Sequence, residues 1–171
     1  MIFLSDHGTS LGERIGEKFY GVYLYEYTMN VFTILHIPET EGRIIEKQCS
    51  TIDIFPTILN LVDSNYSTID EKDGNDLLST RDYDKNHEVF AETGGLYGPW
   101  PSPEKHNVFC LKYDNKKIIY NDTPETWEFY DLKNDPNEKN NMYENNNETV
   151  DKMKSRLLNY LKKNMIETKI S

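Results

Sequence analysis

The chain alternates short apolar runs with longer polar stretches, and the period inside each run separates strands from helices. Ile2-Phe3-Leu4 and Val31-Phe32-Thr33-Ile34-Leu35-His36-Ile37, the latter closed by Pro38, are continuous apolar segments and predict strands, the second of them buried. Residues 9–20, rich in Gly and charge, predict a loop covering the end of the first strand, and residues 23–27 a short helix. A polar turn at Glu41-Gly42 precedes a short strand at Arg43-Ile44-Ile45. In Asp53-Ile54-Phe55-Pro56-Thr57, Pro56 sits in a helix's first turn, Asp53 caps it, and Ile58, Leu59 and Leu61 continue it.

Residues 63–85 are acidic and rich in Ser and Asn, a loop and junction with Asp76-Leu77-Leu78 as its anchor. Beyond them, short strands are predicted at 87–92, 107–113, 116–120 and 127–132. Asp114-Asn115 is a tight-turn signal joining two of these into an antiparallel hairpin, and Asp135-Pro136 ends the last. Val150, Met153, Leu157 and Leu161 recur at helical spacing and predict an amphipathic helix over 149–163, packed by one face. Residues 1–85 therefore read as part of an α/β core, and residues 86–171 as a small α+β subdomain.

At 171 residues the chain has room for one domain, or one with a small appendage, and a sizeable core. Its net charge of −10, from 29 acidic and 19 basic residues, disfavours nucleic acid as a partner. No apolar run approaches the roughly 20 residues of a membrane span, and the first four residues lack the basic start and length of a signal peptide. Cys49 and Cys110 lack metal-type spacing and read as buried free thiols. Asn65, Asn121 and Asn147 head glycosylation-type triplets of the kind an Asn-rich chain produces by chance.

The candidate chemistry lies at the end of the first strand, where Ser5-Asp6-His7-Gly8 delivers a carboxylate and an imidazole together. In open α/β sheets the carboxyl ends of parallel strands collect ligands and metals, and Asp-His offers one hard oxygen and one borderline nitrogen donor. Two donors fall short of the roughly six to eight oxygens that calcium prefers. A strand in such a sheet needs neighbours on both sides, so this chain is expected to be the C-terminal part of a larger enzyme. His36, in an apolar run, reads as a satisfied core or edge histidine. The aromatic, Pro-rich residues 94–101, with His106, could line a pocket and stack on a sugar or aryl ring, or form a surface lid.

Ser5-Asp6-His7-Gly8, the Gly-rich loop, Leu24-Tyr25-Glu26, the strand ending at Pro38, Asp53-Ile54-Phe55-Pro56-Thr57, and Glu128-Phe129-Tyr130-Asp131-Leu132 with Asn134-Asp135-Pro136 and Glu138 occur in one order. Together they resemble the C-terminal half of the sulfatase family of the alkaline phosphatase superfamily. That resemblance implies the C-terminal part of an alkaline-phosphatase-like α/β sheet core, followed by a small antiparallel sheet with a terminal helix. It implies a divalent cation, often Ca2+, with Asp6 as ligand and His7 as ligand or as a catalytic contact to the substrate oxyanion. Lys18 is the candidate contact to the sulfate group of a sugar or aryl sulfate ester, although Tyr20-Gly21 stands where many relatives place His or Lys. The family's nucleophile, a Cys or Ser converted to formylglycine, and its other carboxylate ligands belong to an N-terminal half, and no Cys-x-Pro-x-Arg-like segment occurs here. The implied parent is a metal-dependent sulfate ester hydrolase whose N-terminal half is missing from this chain. Two alternatives stand beside it: a related phosphomonoester or phosphodiester hydrolase using Mn2+ or Zn2+, and a non-catalytic scaffold domain.

Overall fold

The computed structural model describes residues 1–14, 23–62, 74–79, 87–94, 107–145 and 147–170. The chain divides into two compact units, residues 1–39 with 90–171, and residues 40–89.

The first unit is organised by a four-stranded sheet in the order β3 (Val89–Thr93), β4 (Val108–Tyr113), β5 (Lys116–Asn121), β6 (Thr126–Asp131). β4, β5 and β6 pair antiparallel. The predicted hairpin forms at Asp114-Asn115, both at positive φ (48° and 56°), the geometry whose twist matches that of the flanking strands. Side chains alternate between two buried faces. Phe109, Leu111, Ile118, Tyr120 and Phe129 meet Val150, Met153, Leu157 and Leu161 of α3 (Glu148–Lys163), while Val108, Cys110, Ile119 and Tyr130 meet Leu24 and Tyr25. Because both faces are covered, β4 reads as a nearly continuous apolar run, and β5 carries Ile118-Ile119-Tyr120 between polar ends. Phe90 extends the α3 side by stacking on Tyr160, ring centroids 4.0 Å apart. Each fully buried Leu or Phe in this layer contributes on the order of 1.5–3 kcal/mol.

α3 starts where its side-chain chemistry dictates, since Asn147 Oδ1 accepts the Val150 N–H at 2.9 Å. Asn121 is buried and donates to Glu128 at 2.8 Å, so both of these triplet asparagines are engaged inside the fold. The edge strand β6 is closed by its own continuation. Asn141 accepts the Phe129 N–H at 3.0 Å and donates to the Trp127 carbonyl at 3.2 Å, and the Met142 N–H reaches the Phe129 carbonyl at 2.9 Å.

The same unit contains a two-stranded ribbon of β1 (Ile2–Leu4) and β2 (Thr33–Leu35), and the short helix α1 (Glu26–Met29). β1 runs antiparallel to β2, with Phe3 opposite Ile34. The ribbon corrects the expectation of a buried strand: Phe3, Leu4, Phe32 and Ile34 are 45–59% exposed, and His36 is exposed. Among the described residues no second layer covers them.

In the second unit a 3-10 turn (Thr51–Asp53) leads into α2 (Ile54–Val62). Ser50, not Asp53, is the cap: Asp53 is the third residue of the turn and closes a capping box, fully buried, its carboxylate accepting the Ser50 N–H at 2.8 Å and the Asn75 N–H at 2.8 Å. Gly74 allows this approach, because a Cβ there would lie 2.5 Å from the Ile52 carbonyl oxygen, at a φ of +81°. Leu77 is the anchor anticipated for the following loop, buried with its N–H on Thr57 Oγ1 at 2.9 Å. Arg43-Ile44-Ile45 is not a strand; Ile44 is 87% exposed, and with nothing to bury, its apolar side chain does not order an extended pair. The thiols also differ from expectation. Cys110 is buried within the sheet, but Cys49 is exposed.

Candidate functional site

At the end of β1 the Asp6 side chain is 86% exposed and that of His7 46% exposed. Asp6 Oδ1 accepts the His7 backbone N–H at 2.9 Å, which fixes the carboxylate on its own turn. His7 Nδ1 lies 2.7 Å from the Gly8 carbonyl, an acceptor only, so the neutral ring carries its proton on Nδ1 and presents the Nε2 lone pair. Nε2 is 3.7 Å from Asp6 Oδ2. One carboxylate oxygen and one imidazole nitrogen are thus side by side and open to solvent. No group of three or more His, Cys, Asp or Glu side chains able to hold a metal occurs among the described residues.

Gly8 sets the direction in which this pair leaves the strand. Its N–H donates to the Thr28 carbonyl at 2.8 Å, and a Cβ at this position would lie 2.1 Å from the Tyr27 carbonyl oxygen. Only glycine permits this contact with α1. α1 itself is held by Thr28, whose hydroxyl donates to the Tyr23 and Tyr25 carbonyls at 2.7 and 2.9 Å, and by a buried charge cluster.

In that cluster Lys117 is fully buried, its Nζ 2.7 Å from Glu26 Oε1, 2.8 Å from Glu138 Oε1 and 3.0 Å from the Leu24 carbonyl. Glu26 Oε2 takes Lys112 at 2.7 Å, and Glu138 Oε2 accepts the Glu26 N–H at 2.6 Å. Lys112 and Lys117 are directly opposed across β4 and β5, an arrangement that would be repulsive without Glu26 bridging them. Burial alone would raise the Glu26 pKa, but the two ammonium groups hold it below the ordinary carboxylate range. Burial alone would lower that of Lys117, but the carboxylates of Glu138 and Glu26 push it up. Glu138 lies deeper, and burial raises its carboxyl in spite of Lys117.

Beside it Glu128 accepts hydrogen bonds from Tyr25 at 2.7 Å, Tyr130 at 2.5 Å and Asn121 at 2.8 Å. Burial, followed by the Glu128 charge, raises the Tyr25 pKa, so that hydroxyl stays a donor. Arg14 lies over the Tyr25 ring at 3.7 Å and donates to the Tyr130 hydroxyl at 3.4 Å and to the Glu138 carbonyl.

The structure therefore brings Asp6 and His7 together, whereas Lys18, residues 95–101 and His106 lie outside the described residues. Sequence reasoning assigned no role to Arg14, Lys112, Lys117 or Glu128. One signal was available for Lys117: strand alternation puts it on the inward face shared with Ile119, where an unpaired lysine would not be tolerated.

The fold is shared with solved sulfatase structures. A yidJ structure from Bacteroides fragilis superposes with a TM-score of 0.72 at 19% identity, over 95% of this chain and 35% of that one. The structure of BT4656 with its substrate, D-glucosamine-2-N,6-O-disulfate, gives a TM-score of 0.60 at 20% identity, over 95% of this chain and 33% of that one. The chain belongs to the N-sulphoglucosamine sulphohydrolase C-terminal family, whose model matches residues 16–165. Asp6 and His7 precede the first matched residue. A curated relative, the uncharacterized sulfatase YidJ of Escherichia coli (strain K12), is 27% identical over 95% of this chain and 32% of its own length. The chain thus spans about a third of the relatives it matches. Among the described residues no helix is long and apolar enough to cross a membrane.

Proposed function

We propose that this chain works as the C-terminal part of a metal-dependent sulfate ester hydrolase, with Asp6 and His7 forming one wall of a divalent cation site. The observation that carries this reading is the exposed Asp6–His7 pair, two donor atoms 3.7 Å apart at a strand end in a chain of sulfatase fold. The Asp6 carboxylate fits part of a calcium shell, which takes roughly six to eight oxygens, whereas the His7 imidazole is a borderline nitrogen donor that suits Mn2+ or Zn2+ better than Ca2+. The remaining ligands, and the nucleophile, belong in this reading to the polypeptide that makes up the other two thirds of the relatives. When bound, the cation would activate the nucleophile and neutralise sulfate charge. Lys18 is assigned to the sulfate group as a charge-neutralising contact. The substrate class proposed is a sulfated sugar, the chemistry of the BT4656 ligand.

The test is Asp6→Ala in the complete enzyme, set against His36→Ala as an exposed control. Asp6→Ala should lower bound metal by elemental analysis and depress sulfate ester turnover by about 100-fold or more, since loss of an outer-shell partner of a metal ligand already costs up to about 100-fold, with His36→Ala near wild type. Equal metal and equal activity in the two variants would remove Asp6 from the site. Saturable phosphate ester turnover without sulfate ester turnover would replace the sulfatase reading with the phosphatase one.

A further inference from the structure

We infer that Arg14 is a positioning residue for the Asp6–His7 pair, an inference that rests on the reading of that pair as a metal-site wall. The segment that leaves the pair is tied down at two points. At its start the Gly8 N–H bonds the Thr28 carbonyl at 2.8 Å, and at its end Arg14 docks on Tyr130 of β6, on Tyr25 before α1 and on the Glu138 carbonyl of the loop after β6.

Between the two points the chain closes on itself. The Glu13 carboxylate accepts the Leu11 N–H at 2.7 Å and the Ser10 hydroxyl at 3.2 Å, the Gly12 N–H reaches Ser10 Oγ at 3.4 Å, and Gly12 turns the chain at a φ of +102°. Ser10 is itself buried. A turn closed in this way has little slack, so holding its end at Arg14 also holds its beginning at Asp6 and His7.

The chemistry of the anchor calls for arginine. A planar guanidinium can lie flat on the Tyr25 ring while its edge N–H groups donate in plane to the Tyr130 hydroxyl and the Glu138 carbonyl. A lysine ammonium supplies the charge but cannot serve ring and carbonyl together. The docking surface is in turn rigid, because Tyr130 and Tyr25 both donate to Glu128, and Glu138 is clamped by Lys117. Arg14 therefore couples the strand-end pair to the buried charge cluster without touching substrate or cation.

The test compares Arg14→Lys with the unsubstituted protein by hydrogen exchange on the full chain. Amides of residues 6–14 should exchange about 10-fold faster in the variant, with those of α3 unchanged and the melting temperature within about 2 °C. Unchanged exchange over residues 6–14, or an increase spread over the whole chain, would overturn the proposal. In the complete enzyme the calcium concentration for half-maximal sulfate ester turnover should rise about 10-fold, with saturating calcium restoring most of kcat. A loss of the same factor at every calcium level would also overturn it, since a misplaced ligand can be compensated by metal and a damaged fold cannot. Absence of sulfate ester turnover in the unsubstituted enzyme would instead sink the hydrolase reading, and the exchange result would still decide the anchoring role of Arg14.

Discussion

Lys117 and Glu138 form an ion pair of 2.8 Å in which neither side chain has more than 1% of its surface exposed. Lys117 is the second residue of β5 and Glu138 comes from the loop after β6, where it adopts a φ of +52°. The pair joins the loop after Asn134-Asp135-Pro136 to the Leu24-Tyr25-Glu26 segment, because the same ammonium also serves Glu26 and the Leu24 carbonyl. Two pieces of the family pattern that lie far apart in sequence meet on one lysine.

Lys117→Met should leave Glu26 and Glu138 buried without their common partner. The expected loss is about 3–5 kcal/mol of unfolding free energy, the usual consequence of removing one member of a buried pair. Lys117→Met combined with Glu138→Gln should recover part of it, because one of the stranded charges is then gone. Urea unfolding of the three proteins measures both values, and a single-variant loss below about 1 kcal/mol would mean that the cluster is hydrated in solution.

Gly8→Ala should be far more damaging than Gly42→Ala. A methyl group at Gly8 would meet the Tyr27 carbonyl oxygen at 2.1 Å, whereas nothing lies within 4 Å of the position at Gly42. The first must displace backbone and break the bond to Thr28, costing more than about 2 kcal/mol. The second should stay within about 0.5 kcal/mol of wild type. Parallel denaturation curves decide between them.

The thiols should separate by reactivity and by pH. Cys49 is exposed and should label in the native chain, with Cys110 labelling only on unfolding. Burial pushes the Cys110 thiol up to about 11, from an ordinary thiol value of 9.0. The unfolded chain therefore loses this proton first as pH rises, so the stabilisation is complete below about pH 9 and falls away on the way to pH 11. The slope approaches 1.4 kcal/mol per pH unit for one group. Urea unfolding at pH 8, 9, 10 and 11 should show this decline, and flat stability across that window would place the thiol in contact with water.

Asn141→Ala should open the edge of β6. The side chain satisfies the N–H groups of Phe129 and Tyr143 and the carbonyl of Trp127, so its removal should cost about 1–3 kcal/mol. It also frees strand-edge groups for pairing with a second chain. Concentration-dependent association by analytical ultracentrifugation is the expected outcome, and a monomer of undiminished stability would contradict it.

The elements with a strong local period were legible in the sequence. Val150, Met153, Leu157 and Leu161 specified α3 and its buried face, Asp114-Asn115 specified the β4–β5 turn, and Asp53 marked a helix start although the cap itself is Ser50. Asp6 and His7 could be singled out because they are adjacent in sequence, so their proximity required no folding to deduce. Burial of the ribbon was not legible, since apolar β-branched residues form a strand whether or not another layer covers them, and exposure depends on what stands opposite.

By itself, then, the sequence determined what short-range chemistry controls: the periods, the caps, the turn and the Asp6–His7 pair. Only the tertiary structure decided what long-range pairing controls. Strand register placed Lys112 opposite Lys117 and made Glu26 necessary between them. Chain reversal brought Glu138 and Arg14 onto the same sheet face, across separations of 21 residues from Lys117 and 124 from Glu138 respectively. Strand alternation marks Lys117 as inward-facing, but Arg14, Glu26 and Glu138 taken alone read as ordinary solvated charges, because each partner is specified by the fold and by nothing in its neighbourhood along the chain.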